Sequence, residues 1–168
     1  GLNVSPKKEA NAKINQSKLT YGCGIGAAAI SIDSGESEFE CPIAAIGTND
    51  YVIKISGIYR GNMKLSNNIK TYMGKGWKLN VQQYLYVESN NYFYVDGQSV
   101  THEFEKLGDG RYYDTSGYGL ILTIGQGKNI VTDQYGNKMY FSEDVLIKTE
   151  SGHNAAARKI YSYTNGKL

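Results

Sequence analysis

Glu38 and Glu40 stand two residues apart, so any strand containing them puts both carboxylates on one face, which is how a glycosidase could present an acid/base pair. Alternating glutamates are equally what a solvated strand face carries, and no neighbour here would raise either pKa, so they are read as surface. Cys23 or Cys41 could act as a thiolate beside His102 or His153, but neither cysteine sits on a strained turn or ahead of a helix. The cysteines lack C-x-x-C spacing and the two histidines are far apart, which leaves no zinc set. Asp133-Gln134-Tyr135-Gly136-Asn137 groups oxygen ligands around a glycine without the acidic series and closing Glu of a calcium loop, and reads as a turn. Tyr21-Gly22-Cys23-Gly24-Ile25-Gly26 does not keep G-x-G-x-x-G spacing and follows no strand, so it reads as a flexible lead-in. The residues therefore imply no catalytic group, no metal and no cofactor.

Recognition is the other chemistry on offer. Tyr84, Tyr86, Tyr92, Tyr94, Tyr112 and Tyr113 crowd the middle of the chain, and tyrosines exposed on a β-face stack on sugar rings while their hydroxyls form hydrogen bonds. That pattern describes a carbohydrate-binding β-sandwich whose partners would be glycans. Large rings on a sheet face are also explained by a further layer of protein covering them.

The elements that must position these residues are strands. The 168 residues include 15 Tyr and 20 Gly but only 2 Pro, a balance that favours strands and tight turns over helices. A chain of this length makes about one domain and can bury a core without disulfides. The net charge of +2, with Lys and Arg scattered among Glu and Asp, gives no electrostatic footprint for nucleic acid. No apolar run is long enough to insert in a membrane. The opening Gly1–Pro6 lacks the pattern of a signal peptide, and a start on glycine is consistent with a targeting segment removed ahead of it.

The chain is organised around Gly74-Lys75-Gly76-Trp77, where a glycine hinge feeds the only tryptophan into a long alternating segment. Gly74, Gly76 and Trp77 form a structural anchor, with Trp77 in the core and Leu79, Val81, Leu85 and Val87 on one face of a strand reaching to Val87. Ahead of it lie a polar arm and lead-in over 1–26, a hairpin over 28–43 turning at Asp33–Glu36, and a strand over 50–60 in which Gly57 marks a bulge or close approach. That hairpin puts Cys41 nearer Ala28 than Cys23, which favours thiols over a disulfide. Beyond Trp77, turn sequences such as Asp96-Gly97, Asp109-Gly110 and Ser116-Gly117 punctuate short strands, with one helical turn conceivable at Ala155–Ala157. The expected fold is all-β, a mostly antiparallel meander of hairpins over 27–168 forming a curved sheet or open sandwich. Its core is Ile30, Ile32, Phe39, Ile53, Ile55, Trp77, Leu79, Val81, Leu85, Phe104, Leu120, Leu122, Ile124 and Phe141.

The order of these elements carries a resemblance. Gly74-Lys75-Gly76-Trp77-Lys78-Leu79-Asn80, Tyr94-Val95-Asp96-Gly97 with His102-Glu103-Phe104, Asp133 to Phe141, and Tyr161-Ser162-Tyr163 resemble the segment that leads into the array of the RHS/YD-repeat family. The strands around Ile32–Phe39 and Ile53–Tyr59 are similar to those preceding that glycine-flanked tryptophan. The resemblance implies a section of a large bacterial protein, secreted or held at the cell surface, whose β-strip coils into a hollow shell around a toxin. By that likeness the chain is a non-catalytic shell segment, not an enzyme, and its partners are the remaining repeats, or like copies, met through strand edges.

Overall fold

A computed structural model describes residues 18–22, 27–31, 37–48, 51–69, 74–154 and 157–162, the backbone alone being described for 18–22, 27–31, 37, 48 and 51. Fourteen strands and no helix occur among these residues, and every strand pairing is antiparallel. The strands fall into two compact units.

The first unit is a five-stranded sheet of β1 (Lys18–Gly22), β2 (Ala27–Ser31), β3 (Ser37–Thr48), β4 (Tyr51–Arg60) and β5 (Trp77–Leu79), each paired with the next. Residues 18–22, expected within a polar arm and lead-in, instead form a strand that hydrogen-bonds the outer edge of β2. Ile32, Cys23 and the Asp33–Glu36 turn lie outside the described residues, as does the side chain of Ile30.

Register explains the role of Trp77. Phe39 lies opposite Tyr59, and Tyr59 opposite Trp77, so three rings form a row across β3, β4 and β5 with centroids 5.4 Å apart at each step. Such cross-strand aromatic pairs are what stabilise a sheet face. The row is half-buried, which corrects the expectation of Trp77 as a core residue. The opposite face of β5 is the buried one: Lys78 and its partner Ile58 are both 0% exposed. The Lys78 ammonium donates to the carbonyls of Leu79 at 3.1 Å and Gly97 at 3.3 Å, so its charge is met by backbone oxygen.

The glycine hinge is needed for this packing. Gly76 has φ +83°, and a Cβ there would stand 2.5 Å from Cε2 of Tyr59. Gly74, at φ +97°, has open space around it. After Leu79 the expected long strand breaks at a turn, where the Asn80 side chain accepts from Ser56 N at 2.9 Å and donates to Lys54 O at 2.8 Å, imitating a strand on the edge of β4.

The second unit takes β6 (Tyr84–Glu88), β7 (Asn91–Val95), β8 (Thr101–Lys106), β9 (Tyr112–Asp114), β10 (Ile121–Ile124), β11 (Asn129–Thr132), β12 (Lys138–Ser142) and β13 (Val145–Glu150) in next-neighbour order. Because β13 pairs with β12 along its length and with β6 at Val145↔Tyr84, the sheet closes into an eight-stranded up-and-down barrel rather than a curved sheet or open sandwich. Leu85 N donating to Asp144 O and Leu146 N to Gln83 O complete the seam. Farther along β13, β14 (Arg158–Ile160) takes the same edge at Lys148–Glu150.

Leu85, Tyr94, Phe104, Leu120, Leu122, Val131, Phe141 and Leu146 fill the barrel. Ile124, expected in this core, is 40% exposed because it sits at the last pair of β10, Ile124↔Asn129, beyond the filled layers. Val81, Leu79, Ile53, Ile55 and Phe39 are half-buried, and Val87 lies exposed near the end of β6.

Gly76→Ala is expected to cost about 1–3 kcal/mol through backbone strain and the clash with Tyr59, and Gly74→Ala distinctly less. Phe141→Ala should cost about 3–5 kcal/mol. Urea unfolding of the three variants checks both the order and the sizes.

Candidate functional site

A buried polar cluster of the barrel is built on the β7–β8 hairpin. Its register sets His102 directly opposite Tyr94, and the two rings stack at 5.4 Å and 22°. Tyr94 belongs to the barrel core, and its hydroxyl donates to the Gln83 side chain. Burial, with Asp96, Asp133 and Tyr161 nearby, holds that phenol well above its usual pKa, so it stays neutral.

On its other side the His102 ring meets Tyr118 edge-on at 4.8 Å, and it is 1% exposed. Nε2 lies 2.8 Å from Oδ2 of Asp96, and Nδ1 faces Ser116 Oγ, 3.4 Å away, on the other side of the ring. Asp114 anchors the same loop: its carboxylate accepts from Ser116 N at 2.6 Å, from Ser116 Oγ and from Leu120 N at 3.2 Å. Partial burial raises the pKa of Asp114, but these hydrogen bonds and His102 outweigh it, and the net effect is a lowered value. Thr115 N donating to Glu103 O ties the loop to β8.

A carboxylate, an imidazole and a hydroxyl in line is the constellation that activates a serine nucleophile. Here the hydroxyl donates to Asp114, and the ring is sealed between two tyrosines. The arrangement therefore clamps the 114–120 loop, leaving Thr115, Ser116 and Tyr118 exposed above a rigid base, with Tyr118 54% exposed. The sequence carried a trace of this cluster in the Asp96-Gly97 turn between two strands, but the loop runs from 96 to 100, so His102 rather than Ser99 faces Tyr94, and the return of Ser116 from the next hairpin has no local mark.

The tyrosines expected on an open face are not there as a group. Tyr84, Tyr86 and Tyr94 are 5%, 3% and 3% exposed, which corrects the expectation of a tyrosine-rich recognition surface. Tyr86 stacks on its cross-strand partner Phe93, and burial, then Glu88, pushes its hydroxyl up to about 12. Tyr92 and Tyr112 are half-buried and meet edge-to-face at 4.9 Å, while Tyr113 lies beneath the Arg111 guanidinium. Among the structural-anchor residues Gly74 is exposed, Gly76 lies under Tyr59, and Trp77 ends the aromatic row.

Glu38 forms an ion pair with Arg60 at 3.2 Å, directly across β3 and β4, so it is tied into the sheet rather than solvated beside Glu40. Cys41 sits half-buried opposite Gly57, and His153 is exposed. Asp133 accepts from the backbone of Tyr135 and Asn137 and from the Asn137 side chain, the geometry of a side-chain-capped turn. No cluster of three potential metal ligands occurs among the described residues, and no helix among them is long and apolar enough to cross a membrane.

No family model matches the chain. It is similar to the tRNA3(Ser)-specific nuclease WapA of Bacillus spizizenii, the tRNA nuclease WapA of Bacillus subtilis and the tRNA(Glu)-specific nuclease WapA of Bacillus subtilis subsp. natto. Each is 26% identical over 141 residues, covering 81% of this chain. The chain spans about 6% of the length of these relatives. Because the relatives are named for a catalytic activity, the expectations of a non-catalytic segment and of no enzyme are overturned.

The Asp114 clamp makes stability depend on pH with a defined sign. Its folded pKa lies below the unfolded value of about 3.9, so its contribution is in place above that value and is lost as pH falls through the folded one. The difference in unfolding free energy between the native chain and Asp114→Asn should be largest near neutral pH and shrink below about pH 4; urea titrations at several pH values measure it.

Proposed function

We propose that the chain is a section of a tRNA-directed nuclease of the RHS/YD-repeat kind, a toxin exported to the surface of a bacterial cell. The observation that carries this reading is the alignment of 141 residues to proteins named as tRNA nucleases. The ordered motifs from Gly74 to Tyr163 support the repeat-family part of it and, with it, the secreted placement.

Within such a protein the 114–118 loop is the part of this chain suited to touch RNA. Tyr118 offers a ring for stacking on an unpaired base, and the Thr115 and Ser116 hydroxyl oxygens, whose protons go to Glu103 O and Asp114, can accept from ribose hydroxyls. His102 and Asp114 act as positioning residues, holding these groups against the barrel. With a net charge of +2, this section contributes stacking and hydrogen bonds more than electrostatic attraction.

The test is tRNA cleavage by the full-length protein that contains this chain. Incubation with total tRNA should give discrete fragments, and Tyr118→Ala should lower kcat/KM about tenfold through a weaker KM, the loss of one stacked base, with only a small fall in melting temperature from the lost edge-on contact with His102. Intact tRNA after prolonged incubation overturns the nuclease reading. Full cleavage by Tyr118→Ala removes the loop from it.

A further inference from the structure

We propose that the distal half of the β3–β4 hairpin is an interaction surface that takes a second copy of this chain, edge to edge along residues 43–48 of β3.

The hairpin outreaches its neighbours. β3 and β4 pair from Glu38↔Arg60 out to Thr48↔Tyr51, whereas β2 accompanies β3 only as far as Ala27↔Glu40, and β5 accompanies β4 only over Gly57–Tyr59. Asn80 guards the outer edge of β4 at Lys54 and Ser56. Among the described residues no strand pairs with the outer edge of β3 over 43–48. Its outward N–H and C=O groups are spaced to receive one thing well, an extended backbone.

The side chains point to the same conclusion. Ala44, Ile46, Ile53 and Ile55 share one face, because Ala44 pairs with Ile55 and Ile46 with Ile53. A two-stranded ribbon cannot bury such a face alone, and Ile46 on it is 61% exposed; Val52, opposite Gly47 on the other face, and Ile43 at the bulge are 52% and 46% exposed. Sheet edges are usually protected by charge, proline or a bulge. Here Pro42 and the bulge beside it lie at the near end, and Ile43-Ala44-Ala45-Ile46-Gly47-Thr48 carries no charge.

That segment suits itself as a partner. An antiparallel pairing of two copies about a twofold axis at Ala45 sets Ala44 of each against Ile46 of the other, small against large, with no like charges along the contact. Both apolar faces then fall on the same side of a four-stranded sheet.

Sedimentation of the 168-residue chain across a wide concentration range should show a concentration-dependent dimer. Ala45→Lys, at an exposed position, sets two ammonium groups against each other on the axis and should abolish the dimer without shifting the melting temperature. Ala45→Cys in a Cys23→Ser, Cys41→Ser background should give a disulfide-linked dimer on oxidation. A single monomeric species at every concentration overturns the proposal, and so does a dimer that survives Ala45→Lys, since it would use another surface. The outcome is independent of the nuclease reading, which requires only the full-length protein and tRNA.

Discussion

The barrel depends on β13 serving two neighbours at once. A meander of eight strands leaves two edges, and unpaired edges are both a loss of hydrogen bonds and a template for aggregation. β13 resolves this by pairing with β12 over most of its length and with β6 at Val145, while the backbone bonds of Leu85 and Leu146 finish the join. The join is short, so most of the stabilisation has to come from what the closed sheet encloses. Phe141, Leu122, Val131 and Leu146 are all 0% exposed within it.

His102 and Asp114 follow the same economy of satisfaction. His102 is nearly sealed from water, yet both ring nitrogens face oxygen, from Asp96 and Ser116. Asp114 collects three donors from the loop that His102 supports. Two adjacent hairpins are thus joined through side chains as well as through the β8–β9 ladder. A loop fixed in this way can present hydroxyls and a tyrosine ring with little entropy left to lose on contact.

The first sheet solves a different problem. Its half-buried face is held by the row Phe39, Tyr59 and Trp77, and its buried face admits a lysine because carbonyl oxygens stand within reach of the ammonium. Gly76 links the two, since any side chain there would push Tyr59 out of the row. The hydropathy of β5 alone suggested the reverse assignment, Trp77 inside and Lys78 outside.

Period-two alternation and the Asx-Gly turns were enough to determine an all-β antiparallel chain and core positions such as Leu85, Phe104, Leu120, Leu122 and Phe141. These are local properties: a turn type sets a register, and a register sets which side chains share a face. Only the tertiary structure decided that the sheet closes, that Lys78 rather than Trp77 is the buried residue of β5, that Tyr84 and Tyr86 are covered, and that Ser116 returns to His102. Each of these rests on contacts between residues distant in sequence. Alternation says that two faces differ, and packing alone says which of them meets water.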